Sequence, residues 1–365
     1  MPPKKAFSMA CTHGLETTTI GSYPKPGYLN ISDWFSVPQG PDTSSPTALY
    51  ESELKTLGED AESLFQRAAK EVIADQIDAG IDVVTDGEVR RENYIHYHCR
   101  HLQGISFRET EEKVLREGSY RASLPVIQAK IEATKPFLVD DWKAAQDCSV
   151  HPVKVTLPGP MTIADTVVNK HYDDEAALGK DIASALNVEA KRLADAGCRY
   201  IQIDEPLFAR RPEPALAFGI ENLERCFHGI GADTRRISHM CCGYPDRLDN
   251  PDYPKAPPSS YFTLAEALDD SLLDAVSLED AHRHNDLTLL EHFAKTEVIF
   301  GAVAIAKSHI ESVDDIEARL RNALNHIDPE RLGVAPDCGL GMLPRETARA
   351  KLSNMCKAAK RIKDS

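Results

Sequence analysis

No apolar run in the 365 residues approaches the ~20 needed to span a bilayer, so no membrane partner is expected. The first eight residues, Met-Pro-Pro-Lys-Lys-Ala-Phe-Ser, are basic but lack the apolar segment of a secretion signal. Positive charge is scarce as well. Lys and Arg number 42 against 57 Asp and Glu, for a formal net charge of −15. That balance argues against a nucleic-acid backbone or an anionic membrane surface as partner, while leaving room for a small anionic substrate held by local donors. No short repeat or low-complexity tract stands out, and no Cys-x-x-Cys pair of the kind that builds structural zinc knuckles is present. The nine cysteines stand singly or as one adjacent pair, at 11, 99, 148, 198, 226, 241, 242, 338 and 356. Without a secretion signal, the expectation is a cytoplasmic protein whose thiols are free or metal-bound.

What is present reads as an alternating α/β chain. A composition of 42% hydrophobic and 27% charged residues can bury a large core. Two segments share one grammar: residues 68–80 and 181–197 are helical patterns ending in Asp-Ala-Gly. Each is followed by a short apolar strand and then by acids, Asp86 and Glu88 in one case, Asp204 and Glu205 in the other. Strand-like runs occur at 17–21, 81–85, 153–156, 200–204, 236–239, 275–279, 298–302 and 332–336. Helical patterns separate most of them, the clearest at 59–79, 175–196, 313–326 and 344–362. About eight strands alternating with helices predict a (βα)8 TIM barrel, with a doubly wound sheet as the alternative. Residues 1–16 read as an N-terminal tail and 17–365 as one catalytic domain. Two Pro-rich insertions, 22–56 and 244–261, follow strand ends and would lie over the catalytic face, as substrate-contact loops or as decoration.

The polar residues that carry chemistry fall at the strand ends. His239 and Cys241 are two apart and project to the same side. Glu279 ends the sixth strand and Cys338 follows the eighth, so His, Cys, Glu and Cys would complete a tetrahedral zinc site. Cys242 is a competing ligand, disfavoured because consecutive strand side chains point to opposite faces. His282 and His284 lie past the strand and read as a solvated helix start. Asp204 and Glu205 present a carboxylate either to a substrate ammonium group or to the next helix N-terminus. Glu88 has the same two readings, with Arg90 and Arg91 near enough to neutralise it or to meet an anion. The turn at Ile20, Gly21 and Ser22 offers backbone N–H groups to a carboxylate, or is an ordinary turn.

Several of these words resemble the cobalamin-independent methionine synthase family, specifically its C-terminal catalytic barrel. They are Thr-Thr-Thr-Ile-Gly-Ser-Tyr-Pro (17–24), Asp-Gly-Glu-Val-Arg-Arg-Glu-Asn (86–93), Leu-Pro-Gly-Pro-Met-Thr-Ile (157–163) and Ile-Gln-Ile-Asp-Glu-Pro (201–206). His-Met-Cys (239–241), Leu-Glu-Asp (278–280) and Pro-Asp-Cys-Gly-Leu (336–340) complete the ordered set. The resemblance implies a zinc ion held by His239, Cys241, Glu279 and Cys338. It implies that the amino-acid end of homocysteine is held near Ile20, Gly21, Ser22, Glu88 and Asp204, and that a methyl group is transferred to its sulfur to give methionine. Three departures accompany it. The additional N-terminal barrel of the full-length enzymes is missing, as in core-only relatives. The tryptophan that stacks on the folate pterin is absent from Ile163-Ala164-Asp165-Thr166-Val167. The proton-donating histidine after the seventh strand is replaced by a segment holding Lys307 and His309, either of which would serve the leaving group. The donor implied is therefore open, with a methylated corrinoid protein as one candidate. The alternatives are alkyl transfer to another thiol, as in epoxide opening by coenzyme M, or a non-catalytic zinc-binding barrel.

Overall fold

The structure, a computed structural model, describes residues 14–35, 44–115, 120–241, 243, 245, 247–251 and 253–365. Its helices follow from burial at helical spacing. In Ala61–Ala79 the buried residues are Phe65, Ala68, Ala69, Val72, Ile73, Asp75 and Gln76. In Glu175–Ala196 they include Leu178, Ile182, Ala185, Leu186, Ala190 and Leu193. Steps of three and four put each set on one face, and each large aliphatic side chain so buried contributes about 1.5–3 kcal/mol. Asp174 starts the second helix by accepting from the Ala176 and Ala177 N–H groups, and glycines in the left-handed conformation end both.

Ten strands are present among the described residues: β1 (Val84–Thr85), β2 (Leu102–Leu115), β3 (Tyr120–Ala133), β4 (Val153–Pro158), β5 (Val168–Asn169), β6 (Tyr200–Asp204), β7 (Arg235–Met240), β8 (Ala275–Leu278), β9 (Glu297–Val303) and β10 (Leu332–Pro336). Seven form a parallel sheet in the order β1-β4-β6-β7-β8-β9-β10. Its two edges are joined through one short segment: Thr17 bridges to Val334 and Thr18 to Val83, both in parallel. The Thr18 N–H donates to the Val334 carbonyl and the Val83 N–H to the Thr17 carbonyl. This segment is the eighth stave, and the sheet closes as a (βα)8 barrel. Seven of the eight expected strands are found within a few residues of their predicted bounds, and the first, expected at 17–21, is reduced to the two bridges of Thr17 and Thr18. No helix among the described residues is long and apolar enough to cross a membrane.

The element that the sequence did not disclose is a long insertion after β1. Strands β2 and β3 pair antiparallel, and β3 pairs in parallel with β5, giving a second, three-stranded sheet. Lys113 docks this hairpin on the barrel: its Nζ donates to the carbonyls of Asp165 at 2.7 Å and Val167 at 3.0 Å. Of the two insertions that were expected, the first contains helix Ser45–Leu57. Residues 36–43, 242, 244, 246 and 252 lie outside the described residues, and with them the competing ligand candidate Cys242.

Candidate active site

Strand register decides which polar groups meet. Asp204 pairs with His239 across β6 and β7, and His239 pairs with Ser277 across β7 and β8, so the three form a row at the barrel mouth. His239 is buried, and its Nδ1 lies 3.0 Å from the Ser277 hydroxyl. Its Nε2 is buried and makes no hydrogen bond of normal geometry among the described residues. An imidazole nitrogen of His239 and the sulfurs of Cys241 and Cys338 all lie within 4.8 Å of one another. A hydrogen bond from the Cys338 thiol holds Cys241 well below the usual thiol range, against the cost of burial and with His239 assisting. An orphaned imidazole nitrogen facing two thiols is costly without a ligand. The set matches the N and S donors that zinc takes, with Ser277 in the place of the outer hydrogen-bond partner that fixes the imidazole tautomer. Glu279, the expected fourth ligand, is not in this cluster. It is buried one residue past β8, where the Tyr261 hydroxyl donates to its Oε1 at 3.3 Å.

Two carboxylates face the same mouth. Glu88 is buried, with the Arg91 guanidinium at 3.0 Å and the Thr156 hydroxyl at 2.7 Å, both on Oε1. Burial raises its pKa, opposed by Arg91. Gly21 is required for this approach, since a Cβ there would stand 2.5 Å from that same oxygen. Asp204 accepts from the Gln202 amide at 2.7 Å on Oδ1, and burial pushes its pKa up to about 7. Glu205 resolves the two readings of the acidic pair. It turns away and accepts from Met161 N at 2.8 Å, Thr162 N at 3.1 Å and the Thr162 hydroxyl at 2.7 Å. It is thus the cap of the neighbouring helix Pro160–Asp165, and of this pair Asp204 alone lines the cleft. Arg90 is spent elsewhere, paired with Glu62 and Asp141.

One cleft of about 560 Å³, counted to its open mouth, is lined by Ile20, Gly21, Ser22, Glu88, Asp204, His239, Cys241 and Cys338. Its remaining wall includes Trp34, Phe35 and Tyr94, with Trp34 5.2 Å from Phe35 and 5.4 Å from Tyr94 between ring centroids. The sequence reading anticipated a contact loop containing Trp34 but not Tyr94, because an aromatic in an irregular segment carries no periodic signal. Lys307 and His309 are exposed and do not line the cleft. Their loop is held by Asp249, which accepts from the Ser308 N–H at 2.8 Å and hydroxyl at 2.7 Å.

The model of the cobalamin-independent synthase catalytic domain matches residues 15–361. The chain belongs to the cobalamin-independent methionine synthase family. It is 32% identical over 346 residues to the methionine synthase of Sulfolobus acidocaldarius, covering 94% of this chain and 91% of that one. It is 31% identical to the methionine synthase of Saccharolobus solfataricus over 352 residues, covering 96% and 95%. Among solved structures, a B12-independent methionine synthase from Shewanella sp. W3-18-1, in complex with selenomethionine, superposes with a TM-score of 0.83 at 30% identity. That match covers 96% of this chain and 98% of the other. Membership of the methionine synthase family makes the chain an enzyme of the S-methyltransferase kind.

In this methionine synthase relative a hub beneath the cleft ties two of the proposed ligand strands together. Asp337 Oδ1 accepts from the N–H groups of Asp280 and Ala281 at 2.9 and 2.8 Å. Its Oδ2 accepts from His282 N at 2.6 Å and His282 Nδ1 at 2.8 Å. The Ala306 N–H donates to His282 Nε2 at 3.1 Å, so the proton sits on Nδ1 and the neutral ring satisfies both neighbours. His282 is therefore an interior brace, not the solvated helix start that the sequence suggested; His284 is the exposed one, 3.0 Å from Asp280. The hub ties the segment that follows Glu279 to the one that precedes Cys338, and Gly301 makes room for it. A Cβ at 301 would lie 2.3 Å from Asp337 Oδ1 and 2.9 Å from the Glu279 Cα. Gly301→Ala should lower stability by about 1–3 kcal/mol, measured by denaturant unfolding, and an unchanged stability would show that the hub tolerates the added methyl.

Proposed function

We propose that this enzyme methylates the thiol of homocysteine to give methionine, with a zinc ion held by His239, Cys241, Cys338 and Glu279. The observation that carries the proposal is the buried, unpartnered His239 Nε2 facing two thiols, beside two buried carboxylates in one cleft. When bound, zinc supplies a Lewis acid that presents a coordinated thiol as thiolate near neutral pH. The chain supplies the rest. Asp204 Oδ2 and Glu88 Oε2, whose partner oxygens are engaged, accept the substrate ammonium. Backbone N–H groups at Gly21 and Ser22 receive its carboxylate. Trp34, Phe35 and Tyr94 exclude water from the reacting sulfur, which keeps a thiolate poorly solvated and nucleophilic. The Shewanella relative's selenomethionine has the shape of the product this reading requires.

The methyl donor approaches, in this reading, from a second cavity that shares Trp34, Tyr94, Pro206 and Arg210 with the cleft. Thr166 lines it where the folate enzymes carry an aromatic, together with Leu115 and Leu124 from the hairpin. A donor that needs no pterin stacking, such as a methylated corrinoid protein, suits such a lining better than a folate. The seven described cysteines are all unpaired, which is in keeping with a reducing, cytoplasmic setting.

Zinc K-edge absorption should gain one sulfur neighbour when L-homocysteine is added to the zinc-loaded protein. An unchanged spectrum would remove homocysteine as acceptor. A donor screen with homocysteine as acceptor, comparing methyltetrahydrofolate, its polyglutamate, methylcobalamin and S-methyl donors, should give turnover with methylcobalamin and little or none with either folate. Turnover on folate alone would overturn the corrinoid assignment.

A further inference from the structure

The barrel interior holds a buried lysine that the reaction itself does not use. Lys154 on β4 is 1% exposed. Its Nζ donates to Gln202 Oε1 at 2.6 Å. Gln202, on β6, is fully buried. Its Nε2 donates to the Ile20 carbonyl at 2.9 Å and to Asp204 Oδ1 at 2.7 Å. An ammonium group is a pure donor, so the end of the amide that meets it must be the oxygen. The nitrogen end must then face Ile20 and Asp204. In the flipped orientation the amide would set N–H against Lys154 and oxygen against both a carbonyl and a carboxylate.

Burying an ammonium is expensive, and here the cost is borne directly under two of the elements that line the cleft. Burial draws Lys154 down to about 7, with Asp204 the first of the charges opposing that. The three side chains form one chain of contacts that ends at the cleft, with the amide in its middle.

We infer that Gln202 and Lys154 are positioning residues for amino-group recognition: Lys154 fixes the direction of the Gln202 amide, and Gln202 holds the Asp204 carboxylate and the Ile20 carbonyl at one amine-binding locus. The inference rests on the reading of the acceptor as an amino-acid thiol. It differs from that reading in assigning a function to residues that touch neither substrate nor metal.

The test is isothermal titration of the zinc-loaded protein with L-homocysteine and with 4-mercaptobutanoate, which keeps the thiol and carboxylate but lacks the amine. Wild type should bind homocysteine the more tightly. If it binds both equally, amine recognition itself is absent and the acceptor reading fails first. Given that preference, Lys154→Met should weaken homocysteine by roughly ten-fold or more and leave 4-mercaptobutanoate unchanged. Gln202→Glu keeps the shape and the contact with Lys154 but removes the donor to Asp204, so it should give the same selective loss. The pair should be non-additive in the double variant, as members of one chain of contacts are. A parallel loss for both ligands would make the role merely structural and overturn the inference, as would full homocysteine affinity in Gln202→Glu. Should Lys154→Met fail to fold, Gln202→Glu alone decides between these outcomes.

Discussion

Replacing Cys338 by serine should strip zinc from the protein. Wild type purified without chelator is expected to carry about one zinc per chain. The variant loses a thiolate from the group of three that the fold already brings within 4.8 Å, so its affinity should fall by more than the roughly 10–100-fold typical of an outer hydrogen-bond partner. Methyl transfer should drop below detection with it. Metal analysis after dialysis against a weak chelator measures the first effect, and a methyl-transfer assay with homocysteine the second. The same experiment on Glu279→Gln addresses the fourth ligand separately, since Glu279 stands outside the cluster with Tyr261 on its carboxylate. Full zinc retention in Cys338→Ser would remove the proposed ligand set and with it the thiol-activation reading.

Asp204→Asn is expected to have two opposite effects. Removing one partner of a buried charge pair costs several kcal/mol, so homocysteine should bind about 100-fold more weakly, read by titration calorimetry. The asparagine can still accept from Gln202, which keeps the cleft intact. Stability should move the other way. Burial raises the Asp204 pKa from 3.8 to about 7 in the metal-free fold. Between those values the unfolded chain gives up its proton while the folded chain keeps it. The folded state is therefore penalised progressively as pH rises from about 4 to about 7, and the penalty persists above. The variant escapes it. Its metal-free form should be more stable than wild type by up to a few kcal/mol at pH 8, with a smaller margin at pH 5. Urea unfolding at the two pH values measures this, and a variant less stable at pH 8 than wild type would contradict it. A binding carboxylate that destabilises its own fold is what a site built for a cation looks like before the cation arrives.

Much of this was legible in the sequence because the barrel writes itself in short apolar strands followed by acids, histidine or cysteine. Eight of the residues singled out from strand ends line one cleft, since parallel strands deliver their C-terminal ends to one face. The hairpin was not legible. From Arg108 to Lys113 strand β2 is mainly exposed and mostly charged, so the alternation that marks a half-buried strand is missing. Lys307 and His309 lie near the expected position in sequence, but a loop after a strand has no periodicity to say which way it turns. The Asp249 contact that holds Ser308 comes from a distant segment. Glu205 and Asp204 could not be separated either. Adjacent acids look alike until the backbone shows that one of them reaches a helix N-terminus.

The closing stave has a consequence for biosynthesis. Thr17 pairs with Val334, and the Ser22 carbonyl accepts from the Leu340 N–H at 2.7 Å. The turn assigned to the amino-acid end and the thiol of Cys338 thus sit on the first and last barrel segments to leave the ribosome. Until the last strand emerges, β9 and the Thr17–Thr18 segment each lack a neighbour, and exposed strand edges of this kind invite mispairing. Pairing across so long a stretch of chain is also intrinsically slow. Metal loading and completion of the barrel should therefore be a single late event, and a chain cut short before β10 would emerge unable to hold either the ion or the substrate.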